Sequence, residues 1–263
     1  CVKEGGGAIL ETEKSAFNRK EIAAGWRLSC QCKIKNDLTI AVPEDLLEVE
    51  EFTGTVLSNR TVATFIKELA VEIAQPIPYR SGGYLQFHIP KFETNTDEWR
   101  QTIDPQYQPD WEKHDLFNQQ LDFRHIPDNL VRAYSMASYP AEGNRLLFNI
   151  RIATPPKPGI PWGVASSYLF SLKKGDTVQM SGPYGESFMI PGNQELVFLI
   201  GGAGSSFGRS HILHLFHTEN TDRKVTLWYG APSQRENIYQ EEFEELDKAH
   251  PNLTYRLVLA EPM

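Results

Sequence analysis

Over residues 195–263, unbroken apolar runs alternate with segments of helical period. LVFLI (196–200), KVTLWYGA (224–231) and TYRLVLA (254–260) have the length and β-branched character of buried parallel strands. Between them SFGRSHILHLFH (206–217) and IYQEEFEELDKAH (238–250) carry helical spacing, so the order is β-α-β-α-β, the start of a doubly wound sheet. From about 52 to 192 the period shortens to β-like runs punctuated by Gly and Pro: GTVLSNRTVATFIKELAVEI, GGYLQFHIP, VRAYSMASYP, RLLFNIRIAT and DTVQMSGPYGESFMI. This predicts an antiparallel barrel. Residues 1–45 form a third region, with a helical piece SAFNRKEIAAG ending at Gly25, two strands at RLSCQCKI and LTIAV, and a stop at Pro43. Interrupting the barrel, residues 91–128 are polar and rich in Asp, Gln and aromatics. Their centre, WEKHDLFNQQLDF, is expected to be a solvated loop or partner surface.

Composition narrows the function classes. A net charge of -8 and a pI near 5.4 leave no basic footprint for nucleic acid. No window approaches the run of about 20 apolar residues that a spanning helix needs. Three cysteines make no paired disulfide framework, so a reducing, cytoplasmic setting is expected. The chain starts at Cys1 and ends on VLAEPM, and reads as a piece of a longer protein.

Three segments carry phosphate-compatible chemistry in order. RAYS places Arg132, Tyr134 and Ser135 on one barrel strand, with Arg132 and Tyr134 on one face and Ser135 on the other. A fixed cation suits a pyrophosphate, an aromatic ring covers a flavin, and a small hydroxyl leaves room at a reactive nitrogen; a purely structural strand is the competing reading. GVASSYLFSLKKGD (163–176) reads as a second helix start, with Ser166 and Ser167 in its first turn. GGAG (201–204) lies where a strand hands over to a helix; glycines there admit a pyrophosphate or simply allow tight strand–helix packing. His211, His214 and His217 recur at a three-residue step that drifts round a helix, and are read as exposed or packing residues rather than metal ligands. EEFEELDK reads as a solvated helix face.

The series RAYS, GVASSY, SGPYGE, GGAG and WYGA, with SCQC ahead of it, resembles the ferredoxin reductase-like flavoproteins. NIRIATPP (149–156) and the insertion between GGYLQ and RAYS make the resemblance closest to the NADH-accepting F subunits of sodium-translocating NADH:quinone reductases. It implies an α/β plus β architecture: a partial β-grasp 2Fe-2S ferredoxin domain (1–45), an antiparallel β-barrel FAD domain (52–192) and an incomplete Rossmann-like NAD domain (195–263). By the same resemblance Arg132 contacts the FAD diphosphate, Tyr134 packs on the isoalloxazine and Ser135 lies by the hydride-accepting nitrogen. Gly163, Ser166 and Ser167 then bind FAD phosphates, and Gly201, Gly202 and Gly204 face NADH. The implied activity is hydride transfer from NADH to FAD, then single electrons to a 2Fe-2S cluster. The implied partners are other subunits of a membrane quinone reductase, at the cytoplasmic face of the cell membrane, with attachment through a helix preceding residue 1. The reductase component of a multicomponent oxygenase and a non-catalytic flavin-binding docking module are the alternatives.

Two stretches depart from the family. GGAG continues as SSFG where relatives usually have a small residue and Pro, and Pro232 stands where Arg often follows WYGA. A plant-type cluster uses C-x4-C-x2-C and a distant fourth Cys; Cys30 corresponds to that fourth ligand. Cys1 is open between a ligand and a strand residue, and Cys32 reads as a small packing residue. The ligand set within this chain is incomplete.

Overall fold

In the computed structural model, which describes residues 1–42, 49–157 and 159–261, the unit Cys1–Val49 is organised around a buried ion pair. Strand β1 (Val2–Glu4) pairs antiparallel with β2 (Thr39–Ile40), and Val2 bridges to Arg27. The Arg27 guanidinium donates to the Glu13 carboxylate at 2.7 Å and to the Gly6 carbonyl at 2.6 Å, while Glu13 accepts the amides of Leu10 and Leu28 at 2.8 Å each. The helix expected from Ser15 starts late. Asn18 accepts the amides of Lys20 and Glu21 while Glu21 bonds back to the Asn18 amide, so this N-cap confines α1 to Arg19–Ala23. The strand expected at RLSCQCKI does not form. Beyond Arg27 the backbone turns over Ser29–Gln31, the Cys32 amide bonding the Ser29 carbonyl and Arg27 reaching the Gln31 carbonyl at 3.3 Å. Within LTIAV, Thr39 and Ile40 form the strand, and Ala41 extends it by exchanging hydrogen bonds with Cys1. Pro43 lies outside the described residues.

The unit Glu50–Met263 begins with the barrel. Its strands are β3 (Glu50–Ala63), β4 (Ile66–Ile73), β5 (Tyr84–His88), β8 (Val131–Ser135), β9 (Arg145–Arg151) and β10 (Thr177–Tyr184). They lie in the order β8-β5-β10-β3-β4-β9, all antiparallel. The sheet closes where Met136 bridges Phe148 and the Ala137 amide bonds the Leu147 carbonyl at 2.7 Å. Leu69, Val71, Leu85, Phe87, Phe148, Ile150 and Met180 fill the interior. Strand β9 is buried at every position from Leu146 to Ile150, both faces rather than one, because its outer side is covered as well.

The insertion is not a solvated loop. A hairpin of β6 (Glu93–Asn95) and β7 (Gln120–Asp122) carries helices α2 (Thr96–Trp99) and α3 (Gln108–Lys113). Trp99, Ile103, Tyr107, Trp111, Phe117, Leu121 and Phe123 are buried in the same core as the barrel. Trp111 is fully buried, stacks with Phe117 at 5.5 Å and donates its indole N–H to the Thr64 carbonyl at 2.7 Å. The aromatics that looked like a partner surface are the insertion's own anchors, the polar residues between them its solvated side.

After α4 (Val164–Ser171), the last part of the chain forms a parallel sheet in the order β11 (Leu196–Ile200), β12 (Val225–Ala231), β13 (Leu253–Leu259), as the hydrophobic pattern predicts. Helix α5 (Ser205–Leu213) follows β11, and α6 (Gln240–Ala249) follows β12. Strand and helix residues of this part pack on the barrel: Ala63 and Ile66 share a core with Phe198, Ile212, Tyr229 and Phe243. No helix among the described residues is long and apolar enough to cross a membrane.

Candidate functional site

Strand β8 presents its polar residues in the expected alternation. Arg132 is exposed, opposite Phe87 on β5, and its guanidinium bonds only the neighbouring Val131 carbonyl, at 2.8 Å. Tyr134 is half-buried with its ring edge-on to Phe87 at 5.7 Å; burial pushes its hydroxyl up to about 12, with Arg132 opposing the rise. Ser135, opposite Tyr84, opens into a cleft of about 380 Å³ that also includes Gly82, Glu186, Ser187 and Phe207. Phe207 sits in the first turn of α5, so this cleft joins the RAYS strand to the helix that follows the glycine turn.

Helix α4 starts at Gly163, whose amide bonds the Ala153 carbonyl at 2.8 Å. A Cβ on Gly163 would stand 2.6 Å from that of Ala153, so the segments touch only because residue 163 is glycine. The two serines behave differently. Ser166 donates its hydroxyl to the Gly163 carbonyl at 2.9 Å and accepts the Ala153 amide at 3.1 Å, which commits its proton to the turn. Ser167 is fully buried, and its Oγ has no partner among the described residues. The opening amides of α4 lack intrahelical acceptors. An unspent buried hydroxyl beside free amides, with the uncommitted Arg132 on β8, fits the diphosphate of FAD.

In GGAG, Gly202 alone has a left-handed φ, +54°, and Gly204 faces open space. Gly201 is extended and lies so close to the Gly230 carbonyl that a Cβ there would collide. Gly201 therefore serves close approach of β11 and β12, whereas Gly202 and Gly204 leave the turn open.

Sequence reasoning missed the polar residues that join this turn to the barrel. Ser205 and Ser206, from the SSFG departure, are buried: Ser206 Oγ accepts the Asn149 amide at 3.2 Å, and Ser205 Oγ accepts the Asn149 side-chain N–H at 3.1 Å. Arg209 donates to Glu142 at 3.0 Å, to Glu242 at 2.7 and 2.9 Å and to the Ala137 carbonyl at 2.9 Å. Burial opposes its charge, but the bonds to Glu142 and the attraction of Glu242 outweigh it and hold its pKa above the ordinary value. His211 packs against Phe207 at 4.4 Å and bonds the Ser187 carbonyl; burial lowers its pKa, with that bond opposing. Cys30 and Cys1 are exposed, Cys32 half-buried, and no three His, Cys, Asp or Glu side chains converge as a metal site among the described residues. By themselves the described residues do not make an iron–sulfur site.

Residues 118–189 match the oxidoreductase FAD-binding domain family and 198–262 the oxidoreductase NAD-binding domain family. The chain is 54% identical over 263 residues to the F subunit of the Na(+)-translocating NADH-quinone reductase of Chlamydia muridarum, covering 97% of this chain and 61% of that protein. It is 45% identical to the corresponding F subunit of the Methylococcus capsulatus enzyme, covering 99% and 64%. The chain thus spans a little under two thirds of the length of these relatives. Among solved structures, Amycolatopsis cytochrome P450 reductase GcoB aligns with a TM-score of 0.62 at 20% identity, over 98% of this chain and 67% of that one. The flavohem-like FAD/NAD-binding domain of the Vibrio cholerae nitric oxide dioxygenase aligns with 0.59 at 16%, over 81% and 75%. In two consecutive segments the chain is thus similar to FAD-binding and NAD-binding oxidoreductase domains.

Proposed function

We propose that this chain binds FAD on β8 and α4, receives NADH at the Gly202–Gly204 turn, and serves as the NADH-oxidising part of a Na+-translocating NADH:quinone reductase. The observation that supports the reading is the cleft shared by Ser135 and Phe207, where β8 meets the first turn of α5, three residues after the glycine turn. Arg132 and the α4 amides hold the diphosphate, with Ser167 supplying the free hydroxyl and Ser166 bracing the turn. Tyr134 flanks the isoalloxazine and Ser135 sits at its reactive nitrogen. When bound, FAD would supply a two-electron acceptor there for the hydride leaving C4 of NADH, with one proton drawn from solvent and NAD+ released.

In the same reading Cys1–Val49 is the C-terminal part of a 2Fe-2S ferredoxin-type domain, Cys30 being its cluster ligand and the other thiolates lying outside this chain. That unit makes no cluster site by itself, so the electron path proposed from these residues ends at the flavin. The partners are the other components of the reductase complex, at the cytoplasmic face of the membrane. Identity of 54% to a quinone-reductase component supports this over an oxygenase reductase, because the likeness to GcoB at 20% is one of fold.

Anaerobic mixing of NADH with the FAD-loaded full-length protein tests the proposal: the oxidised-flavin absorption band should bleach within one turnover. A flavin spectrum that NADH leaves unchanged would reduce the chain to a flavin-binding module.

A further inference from the structure

NIRIATPP begins with Asn149, which lies on the outer side of β9, faces the dinucleotide domain and is 5% exposed. Three of its polar groups are engaged across that boundary. The amide and side-chain N–H bond Ser206 and Ser205, and its Oδ1 accepts the Tyr239 hydroxyl at 3.0 Å. Ser205 and Ser206 are the first two residues of α5, directly after GGAG; Tyr239 immediately precedes α6. One asparagine therefore ties the starts of both helices of the NAD domain to one barrel strand. Helix α5 is tied a second time, since Arg209 donates to the Ala137 carbonyl at 2.9 Å and Ser210 Oγ to the Ser138 carbonyl at 2.8 Å, two and three residues beyond Ser135.

A barrel and a sheet held only by apolar contacts slide at little cost, whereas buried hydrogen bonds allow one register, because any other leaves polar groups unpaired. We propose that Asn149 is a positioning residue for hydride transfer: through Ser205, Ser206 and Tyr239 it fixes the reach from the Gly202–Gly204 turn to Ser135. This rests on the function proposed above. It also gives the SSFG departure a role, since a small residue followed by Pro supplies no pair of hydroxyls for Asn149.

The test uses the FAD-loaded full-length protein with Asn149→Ala and, as milder changes, Tyr239→Phe and Ser205→Ala, each deleting one partner. Flavin reduction should slow about 10- to 100-fold for Asn149→Ala, the scale set by misplacing reactants by about 1 Å, and by a smaller factor for the other two. FAD content and the affinity for a non-reducing NADH analogue should remain at the wild-type level, and the deuterium isotope effect from C4-labelled NADH should grow. Amide hydrogen exchange at 202–206, read without NADH, should quicken in all three variants. Wild-type reduction rates with unchanged exchange in Tyr239→Phe and Ser205→Ala would overturn the assignment, as would losses that track departure of FAD. Failure of NADH to reduce the wild-type protein would instead refute the function itself.

Discussion

Lys67 on β4 is fully buried, and its ammonium meets no carboxylate among the described residues. It donates to Thr102 Oγ1 in the insertion at 2.8 Å and to the Phe170 carbonyl near the end of α4 at 2.9 Å, 4.9 Å from the Phe170 ring. Burial lowers its pKa from 10.5 to about 7. A neutral amine keeps two N–H groups, so both hydrogen bonds survive deprotonation and only the desolvated charge is lost. The sign follows from proton binding. Between about pH 7 and 10.5 the unfolded lysine holds a proton that the folded one has released, so stability rises with pH through that window; below it both forms are protonated and the penalty is complete. At about 1.4 kcal/mol per pH unit, the penalty is about 4 kcal/mol at pH 7 and about 2 kcal/mol at pH 9. Lys67→Met removes the titrating group and keeps the volume. Urea unfolding of the FAD-loaded protein at a series of pH values should therefore show wild type gaining about 2 kcal/mol on Lys67→Met between pH 7 and 9. Curves that stay parallel over that range would show that Lys67 keeps its ordinary pKa, by water reaching its ammonium, and would refute the reasoning.

Removing Arg209 as Arg209→Met leaves Glu142 and Glu242 facing each other without a cation, which should cost about 3 kcal/mol at neutral pH in denaturant unfolding and less as acid protonates them. Ser167→Ala should weaken FAD about 10- to 100-fold by equilibrium titration, one lost hydrogen bond to a charged group, whereas Ser166→Ala should act mainly on thermal stability because its hydroxyl is spent on Gly163 and Ala153. Trp111→Ala should destabilise by about 3–5 kcal/mol; a change below about 0.5 kcal/mol would mark a solvated loop after all. Ser135→Ala should slow flavin reduction in stopped flow while FAD stays bound, and an unchanged rate would remove Ser135 from the hydride path.

What the sequence made legible was what repeats locally. The parallel strands β11, β12 and β13 announce themselves because each is an apolar run, and a strand buried among neighbours needs no other feature. Barrel strands and the α4 start were legible for the same reason, through alternation and a glycine ahead of a helix. RLSCQCKI failed because its alternation was genuine but short, and Arg27, drawn to a carboxylate 14 residues away and to the carbonyls of Gly6 and Gln31, turned the backbone instead. The insertion failed for a related reason: Trp99, Trp111 and Phe117 follow neither a helical nor a strand period, so their burial shows only once the barrel is there to receive them.

The site divides along the same line. Arg132, Tyr134 and Ser135 are three positions of one strand, and Gly202, Gly204 and Ser167 belong to turns whose types are written in adjacent residues. Asn149, Arg209, Tyr239 and Lys67 have no such local signature, because what makes each informative is a partner 56 to 103 residues away. A polar residue inside an otherwise apolar stretch is the signal that was present for Asn149 within LLFNI, whereas Lys67, beside Glu68 in FIKELAVEI, carries a weaker one. Each is tolerable inside a core only when every donor and acceptor is met. Such a residue predicts that another part of the chain must come to it, and here the parts that come are the starts of α5 and α6 and the end of α4. The polar residues least explained by their own strands are thus the ones that link the binding elements to the barrel.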